Sequence, residues 1–129
     1  MWIGLNPSTA DENQLDPTLR RIAAFSKREN FDGFIMTNLF AWRDTTPSGM
    51  KAAVDPIGRL NDHWIQESAK QCDTVVAAWG ASGSHLTRDV AVMSLLAVAR
   101  TVCLGLTKSR HPRHPLYVKG TQKFVSFPD

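Results

Sequence analysis

Met1-Trp2-Ile3-Gly4-Leu5-Asn6-Pro7-Ser8 passes within one short stretch from an apolar run into a polar turn. The same change recurs where Phe34-Ile35-Met36 leads to Asn38, where Val75-Val76-Ala77-Ala78 leads to Trp79-Gly80, and where Val102-Cys103-Leu104 leads to a segment ending His111-Pro112-Arg113-His114-Pro115. Short runs that are apolar throughout fit strands buried on both faces. If the four are parallel strands, their carboxyl ends share one sheet edge, where open α/β proteins bind ligands. Asn6, Asn38, Trp79 and the two histidines would then meet at one place.

The sequence between the runs has the marks of helices. Asp16-Pro17-Thr18 reads as an N-cap followed by proline in the first turn, after which Leu19, Ile22, Ala23 and Ser26 share a face. Gly33 closes that crossover. Asp55-Pro56 repeats the device, with Ile57, Leu60 and Trp64 following at helical spacing, so that Trp64 belongs to a core stripe. The loop Arg43 to Gly49 leads into this helix. A third helix is predicted from Ser82–Ser84 through Leu86, Val90, Met93 and Val98 towards Arg100. Alternating strands and helices predict an α/β fold, a four-stranded parallel sheet with right-handed crossovers and helices on both faces. Lys123 to Phe127 is expected to add a short edge strand. The first run has only three residues ahead of Gly4, which implies either a very short strand or a segment upstream that this chain lacks.

With 129 residues, 43% of them hydrophobic, the chain suits a single domain spanning 1–129. No apolar run approaches the ~20 residues of a membrane span, and the start lacks the pattern of a secretory signal, so a soluble cytoplasmic protein without membrane partners is expected. Cys72 and Cys103 read as structural thiols without a disulfide. The formal charge is +3, and no acidic residue occurs from Thr101 to Pro128, where Lys108, Arg110, Arg113, Lys119 and Lys123 do. Such a basic segment suits a phosphate-bearing partner; the alternative is a solvated surface balancing the acids of the first half.

Gly4 to Thr9 lacks the glycine spacing and the lysine of a P-loop. Asn6 therefore reads either as a ligand-facing residue or as a turn former. His111 and His114 lie among prolines that prevent a regular helix, which disfavours a metal site; no cofactor is expected. His63 and His85 read as structural or exposed. Trp42, Trp79, Phe40 and Tyr117 fall near strand ends, where they could stack on a base or simply pack. Arg43, Lys108, Arg110 and Arg113 are candidate phosphate contacts.

Gly4-Leu5-Asn6-Pro7 resembles the first active-site motif of the uracil-DNA glycosylase superfamily. Thr37-Asn38-Leu39-Phe40 is similar to its base-recognition strand end, Val75 to Gly80 to its third strand, and His111 to Leu116 to its final His-Pro motif. The likeness covers nearly the whole chain. Three longer stretches, Gly4 to Asp11, Asn38 to Arg43 and Pro112 to Tyr117, also resemble a microbial domain family of unknown function.

The superfamily resemblance implies a three-layer α/β/α sandwich of glycosylase-like fold that takes a flipped base from DNA or a related nucleic acid and hydrolyses its N-glycosidic bond. It implies catalytic roles for Asn6, positioning water, and for a histidine donating to the departing base; the superfamily pattern fits either His111 or His114, and the Pro-Arg-His-Pro-Leu-Tyr stretch favours His114. Asn38 would read the base edge, with Gly4, Phe40, Trp79 and His111 around it, and Ser8 would join the phosphate contacts. Where the strongest relatives carry a carboxylate, this chain has Asn6, which cannot act as a general base. Two other functions are compatible with the same residues: a non-catalytic module for a nucleotide or single strand, and a hydrolase or transferase of small nucleosides or nucleotides.

Overall fold

The computed structural model describes residues 1–9, 16–97 and 99–128. Ala10 and Asp11 of the first motif, and Val98 of the third predicted helix, lie outside the described residues. The fold is mixed α/β, built on a five-stranded sheet. Its strands are β1 (Trp2–Gly4), β2 (Met36–Asn38), β3 (Val75–Ala77), β4 (Thr101–Cys103) and β5 (Val125–Ser126). The helices are α1 (Pro17–Arg28), α2 (Pro47–Ala52), α3 (Asn61–Ala69) and α4 (Arg88–Leu95). Spatial order is β2-β1-β3-β4-β5. β1 pairs in parallel with β2 and β3, and β3 with β4; β5 runs antiparallel along β4. The wholly parallel, four-stranded expectation is thus corrected to a mixed sheet by the tail, which supplies the expected edge strand.

Alternation along the strands divides the core in two. Ile3, Val75, Ala77 and Cys103 face a cluster that includes Leu39, Met50 of α2, Ile65 of α3 and Val92 of α4. Trp2, Val76, Val102 and Leu104 face the opposite side, where Ile22 and Phe25 of α1 cover them. Trp2 is fully buried, and its indole N–H donates to Ser26 Oγ at 3.0 Å, which accounts for a buried serine on an apolar helix face.

α1 starts as predicted, with the Asp16 carboxylate accepting from Thr18 N at 2.8 Å and Pro17 in the first turn. Its buried stripe is Ile22, Phe25 and Ser26, whereas Leu19 and Ala23 are exposed.

The later helices depart further from expectation. Asp55-Pro56 opens no helix. Asp55 Oδ1 accepts from Gly58 N, Gly58 adopts φ +90, and buried Pro56 gives its carbonyl to Trp42 N, so the segment is a bracing turn. The cap followed by proline that does start a helix is Thr46-Pro47, before α2. α3 begins at Asn61, which rotates the expected stripe: Ile65 is buried, while Leu60 and Trp64 are exposed. The third predicted helix is broken. A 3-10 stretch, Ala81–Thr87, ends in left-handed Leu86 and Thr87, and α4 then buries Arg88 and Val92, with Leu96 just beyond it, instead of Val90. Among the described residues, no helix is long and apolar enough to cross a membrane. Cys72 and Cys103 are not joined in a disulfide.

Candidate functional site

In the order 2-1-3-4-5 the chain leaves β1 in one direction to reach β2 and leaves β3 in the other to reach β4. Loops at the carboxyl ends of two such neighbouring strands diverge and leave a crevice between them. A cleft of about 1120 Å³ lies there, with Gly4, Asn6, Asn38, Trp79, Gly80 and His114 in its lining. Gly80 turns the chain out of β3 at φ +73, a conformation that penalises side chains, and its N–H donates to Pro112 O at 2.9 Å. That bond draws the segment after β4 across to the exit of β3, which places His114 over the crevice.

Asn6 is a brace. Its Nδ2 donates to the carbonyls of Asp44 at 3.1 Å, Trp42 at 3.3 Å and Pro7 at 3.4 Å. Asp44 N returns a bond to Pro7 O at 3.0 Å, and an Arg43 guanidinium N–H donates to Ser8 O. The loop after β1 and the loop after β2 are therefore laced into one wall. With its NH₂ group turned to three carbonyls, Asn6 has only Oδ1 to offer elsewhere.

Gly4 and Asn38 are register partners on adjacent strands. A Cβ on Gly4 would lie 2.7 Å from Asn38 Oδ1 and 2.7 Å from Met36 Cε, so the glycine makes room for the Asn38 side chain. The main chain at this point is clamped from below. Asn61 Nδ2 donates to Asn38 O at 2.9 Å and to Leu39 O at 3.0 Å, while Arg88 Nε donates to Leu39 O at 2.7 Å. Arg88 is buried and is held in turn by Asp62 Oδ1 at 2.6 Å. The half-buried Asn38 carboxamide takes no hydrogen bond from the described residues and lines the cleft.

His114 is the N-cap of a 3-10 turn, Pro115–Tyr117, and its Nδ1 accepts from Leu116 N at 3.2 Å. A neutral imidazole whose Nδ1 accepts carries its proton on Nε2. Burial pushes the ring below its ordinary pKa, and the nearby negative charge of Asp16 offsets this only in part. His114 is therefore a neutral N–H donor near pH 7. Arg21, one helical turn and a half along α1 from Asp16, donates from Nε to Pro115 O at 3.1 Å and from Nη2 to Val118 O, tying this segment to α1.

Of the other predicted site residues, Ser8, Arg43 and Arg113 line the cleft. Ser8 Oγ donates to Asp16 Oδ2 at 3.1 Å, and Arg113 Nε to Leu106 O at 3.2 Å. Trp79 is buried and contributes to the floor, with its ring packed against Gly83, where a Cβ would meet it at 2.1 Å. Phe40, His111, Lys108 and Arg110 are not brought to the cleft. Phe40 is fully buried in the core beside His85, and His111 belongs to the turn that bridges Leu106 to Pro112. Sequence reasoning missed Asp16, Asp44 and Arg20, all in the lining. Asp16 had a signal, an N-cap directly after the first strand's loop, but a cap was the only role read from it.

Residues 1–116 match the family model described as a protein of unknown function, DUF1643, and the chain belongs to that family, as its three longer motifs led one to expect. No curated protein and no solved structure matches the chain.

Proposed function

We propose that this DUF1643 protein binds a nucleobase in the cleft at the β1/β3 switch point and hydrolyses the N-glycosidic bond of a flipped base in DNA or a related nucleic acid, on a three-layer α/β/α fold of the glycosylase kind. One observation carries the reading: Asn38, whose carboxamide has no hydrogen-bond partner among the described residues, lines the same cleft as His114, whose hydrogen-bonded Nδ1 turns its proton to Nε2. The carboxamide can pair with a base edge. The imidazole N–H can stabilise the oxygen on which charge grows as the base departs. Arg20, Arg43 and Arg113 in the lining offer phosphate contacts, and exposed Phe34 and Tyr117 at the rim offer stacking faces.

The test is a screen of oligonucleotides bearing uracil, hypoxanthine and other altered bases, run beside Asn38→Ala. Alkali-labile abasic sites that appear with the wild type and are lost with the variant are expected. Abasic sites formed equally by both would sink the proposed base site.

A second reading, binding without cleavage, is favoured by the way Asn6 spends its amide on three carbonyls. Under it the same oligonucleotides bind, with affinity falling steeply as salt rises, and stay intact. Free nucleosides consumed in preference to oligonucleotides would instead identify a small-molecule hydrolase or transferase.

A further inference from the structure

We propose that Asp16 is the carboxylate that works with His114 in the cleft, acting as the general base for the attacking water. This rests on the hydrolytic reading above and supplies what Asn6 cannot. Among the described residues, two acidic side chains line the cleft, Asp16 and Asp44. Asp44 is taken up by the start of α2: Oδ1 accepts from Thr46 N at 3.1 Å and from Thr46 Oγ1 at 3.3 Å, and a Cβ on Gly49 would strike both carboxylate oxygens. Asp16 is oriented but not saturated. Oδ1 accepts from Thr18 N at 2.8 Å and Oδ2 from Ser8 Oγ at 3.1 Å, whereas each carboxylate oxygen can accept two bonds.

Two elements bring the partners together. Asp16 caps α1, and the grip of Arg21 on Pro115 O seats the residue after His114 on that same helix. The negative charge of Asp16 also raises the His114 pKa, against the larger lowering by burial. Of the nearby cations, Arg21 is turned to the Pro115 and Val118 carbonyls, and Arg113 to Leu106 O.

In the reaction, a water between Asp16 and the sugar gives its proton to Asp16 Oδ2 while its oxygen bonds the anomeric carbon. The carbon–nitrogen bond breaks, and its electron pair leaves with the base. The base's anionic oxygen takes the hydrogen bond from His114 Nε2, and solvent later supplies its proton. The Asp16 proton returns to solvent. No oxidant, metal or co-substrate enters this balance.

The test uses Asp16→Asn, which removes the charge and keeps an N-cap of equal quality. The first arm needs no activity: the His114 imidazole is titrated by NMR in wild type and variant. A His114 pKa that falls further in the variant is expected, and an unchanged one overturns the pair. The second arm is cleavage of uracil- and hypoxanthine-bearing oligonucleotides, where kcat should fall by about 100-fold or more with KM little changed. A kcat within about threefold of wild type overturns the base role while leaving the hydrolytic reading standing. A wild type that cleaves neither probe overturns that reading and the base role together, and the titration alone then decides the pair.

Discussion

The side-chain amide of Asn6 donates to the main-chain carbonyl of Asp44 across 3.1 Å, joining the exit of β1 to the exit of β2. Trp42 O and Pro7 O accept from the same nitrogen. Asn6→Asp, the change that restores the carboxylate of the strongest glycosylases, would set a negative oxygen against three carbonyls. A loss of about 2 kcal/mol is expected, with Tm lower by roughly 5–10 °C. The deficit should be largest at neutral pH and shrink on acidification, as the new carboxyl takes up a proton. Thermal melts at two pH values check this, and a variant as stable as wild type at neutral pH would refute the brace.

Gly4→Ala inserts a methyl group 2.7 Å from both Asn38 Oδ1 and Met36 Cε. Met36 can bend away, but Asn38 must swing out of its place in the cleft. Overpacking of this kind costs about 1–3 kcal/mol. Binding of a base-bearing oligonucleotide should weaken by at least about tenfold, the worth of one misplaced hydrogen-bonding group. If binding survives intact while Tm falls, Asn38 does not face the ligand.

Titration of His114 should be visible in the stability curve. At pH well above its ordinary value of 6.5 the ring is neutral in both folded and unfolded chains. Because burial lowers the folded value, the unfolded chain takes the proton first as pH falls through 6.5, and stability drops until the folded ring also protonates. His114→Asn keeps a side-chain acceptor for Leu116 N and removes the titration. Between about pH 7.5 and pH 5 the wild type should therefore lose more Tm than the variant. Parallel curves would contradict the lowered value.

Arg88 joins α4 to Leu39 O and to Asp62. Its side chain is only 3% exposed, whereas that of Asp62 is 52% exposed. Arg88→Ala leaves a cavity and takes from Leu39 O the shorter of its two side-chain hydrogen bonds, with Asn61 still donating, and a cost of about 3 kcal/mol is expected. Asp62→Asn retains an acceptor in a half-exposed position and should cost about 1 kcal/mol or less. Urea denaturation of the two variants would reveal the asymmetry; equal costs would mean that the ion pair, and not the grip on Leu39, is what matters.

The strands were legible because burial on both faces leaves a local signature: Val75 to Ala78 has no polar residue to place in water. The helix of Asp16-Pro17 was legible for a similar reason, since its cap lies within the segment itself. Asp55-Pro56 shows where local reading stops. It carries the same dipeptide, but Pro56 is buried and its carbonyl is taken by Trp42 from another loop, so tertiary contacts decide against a helix. Trp64 and Val90 were misplaced because the stripes were phased from the wrong first turn. Strand ends alone brought Asn6, Asn38 and both histidines to one sheet edge, and of the two histidines only His114 lines the cleft among the described residues. The partnership of Asp16 with His114 could not be found in this way, because it joins positions far apart in the chain through a helix terminus and a loop.

Two arginines of α1 hold the segment after β4 by its backbone: Arg21 at Pro115 and Val118, and Arg28 at Gly120 and Gln122. β1 and β2 can pair without this segment, yet the cleft has no wall at His114 until the segment reaches α1. The cleft is therefore complete only once that segment has closed onto α1.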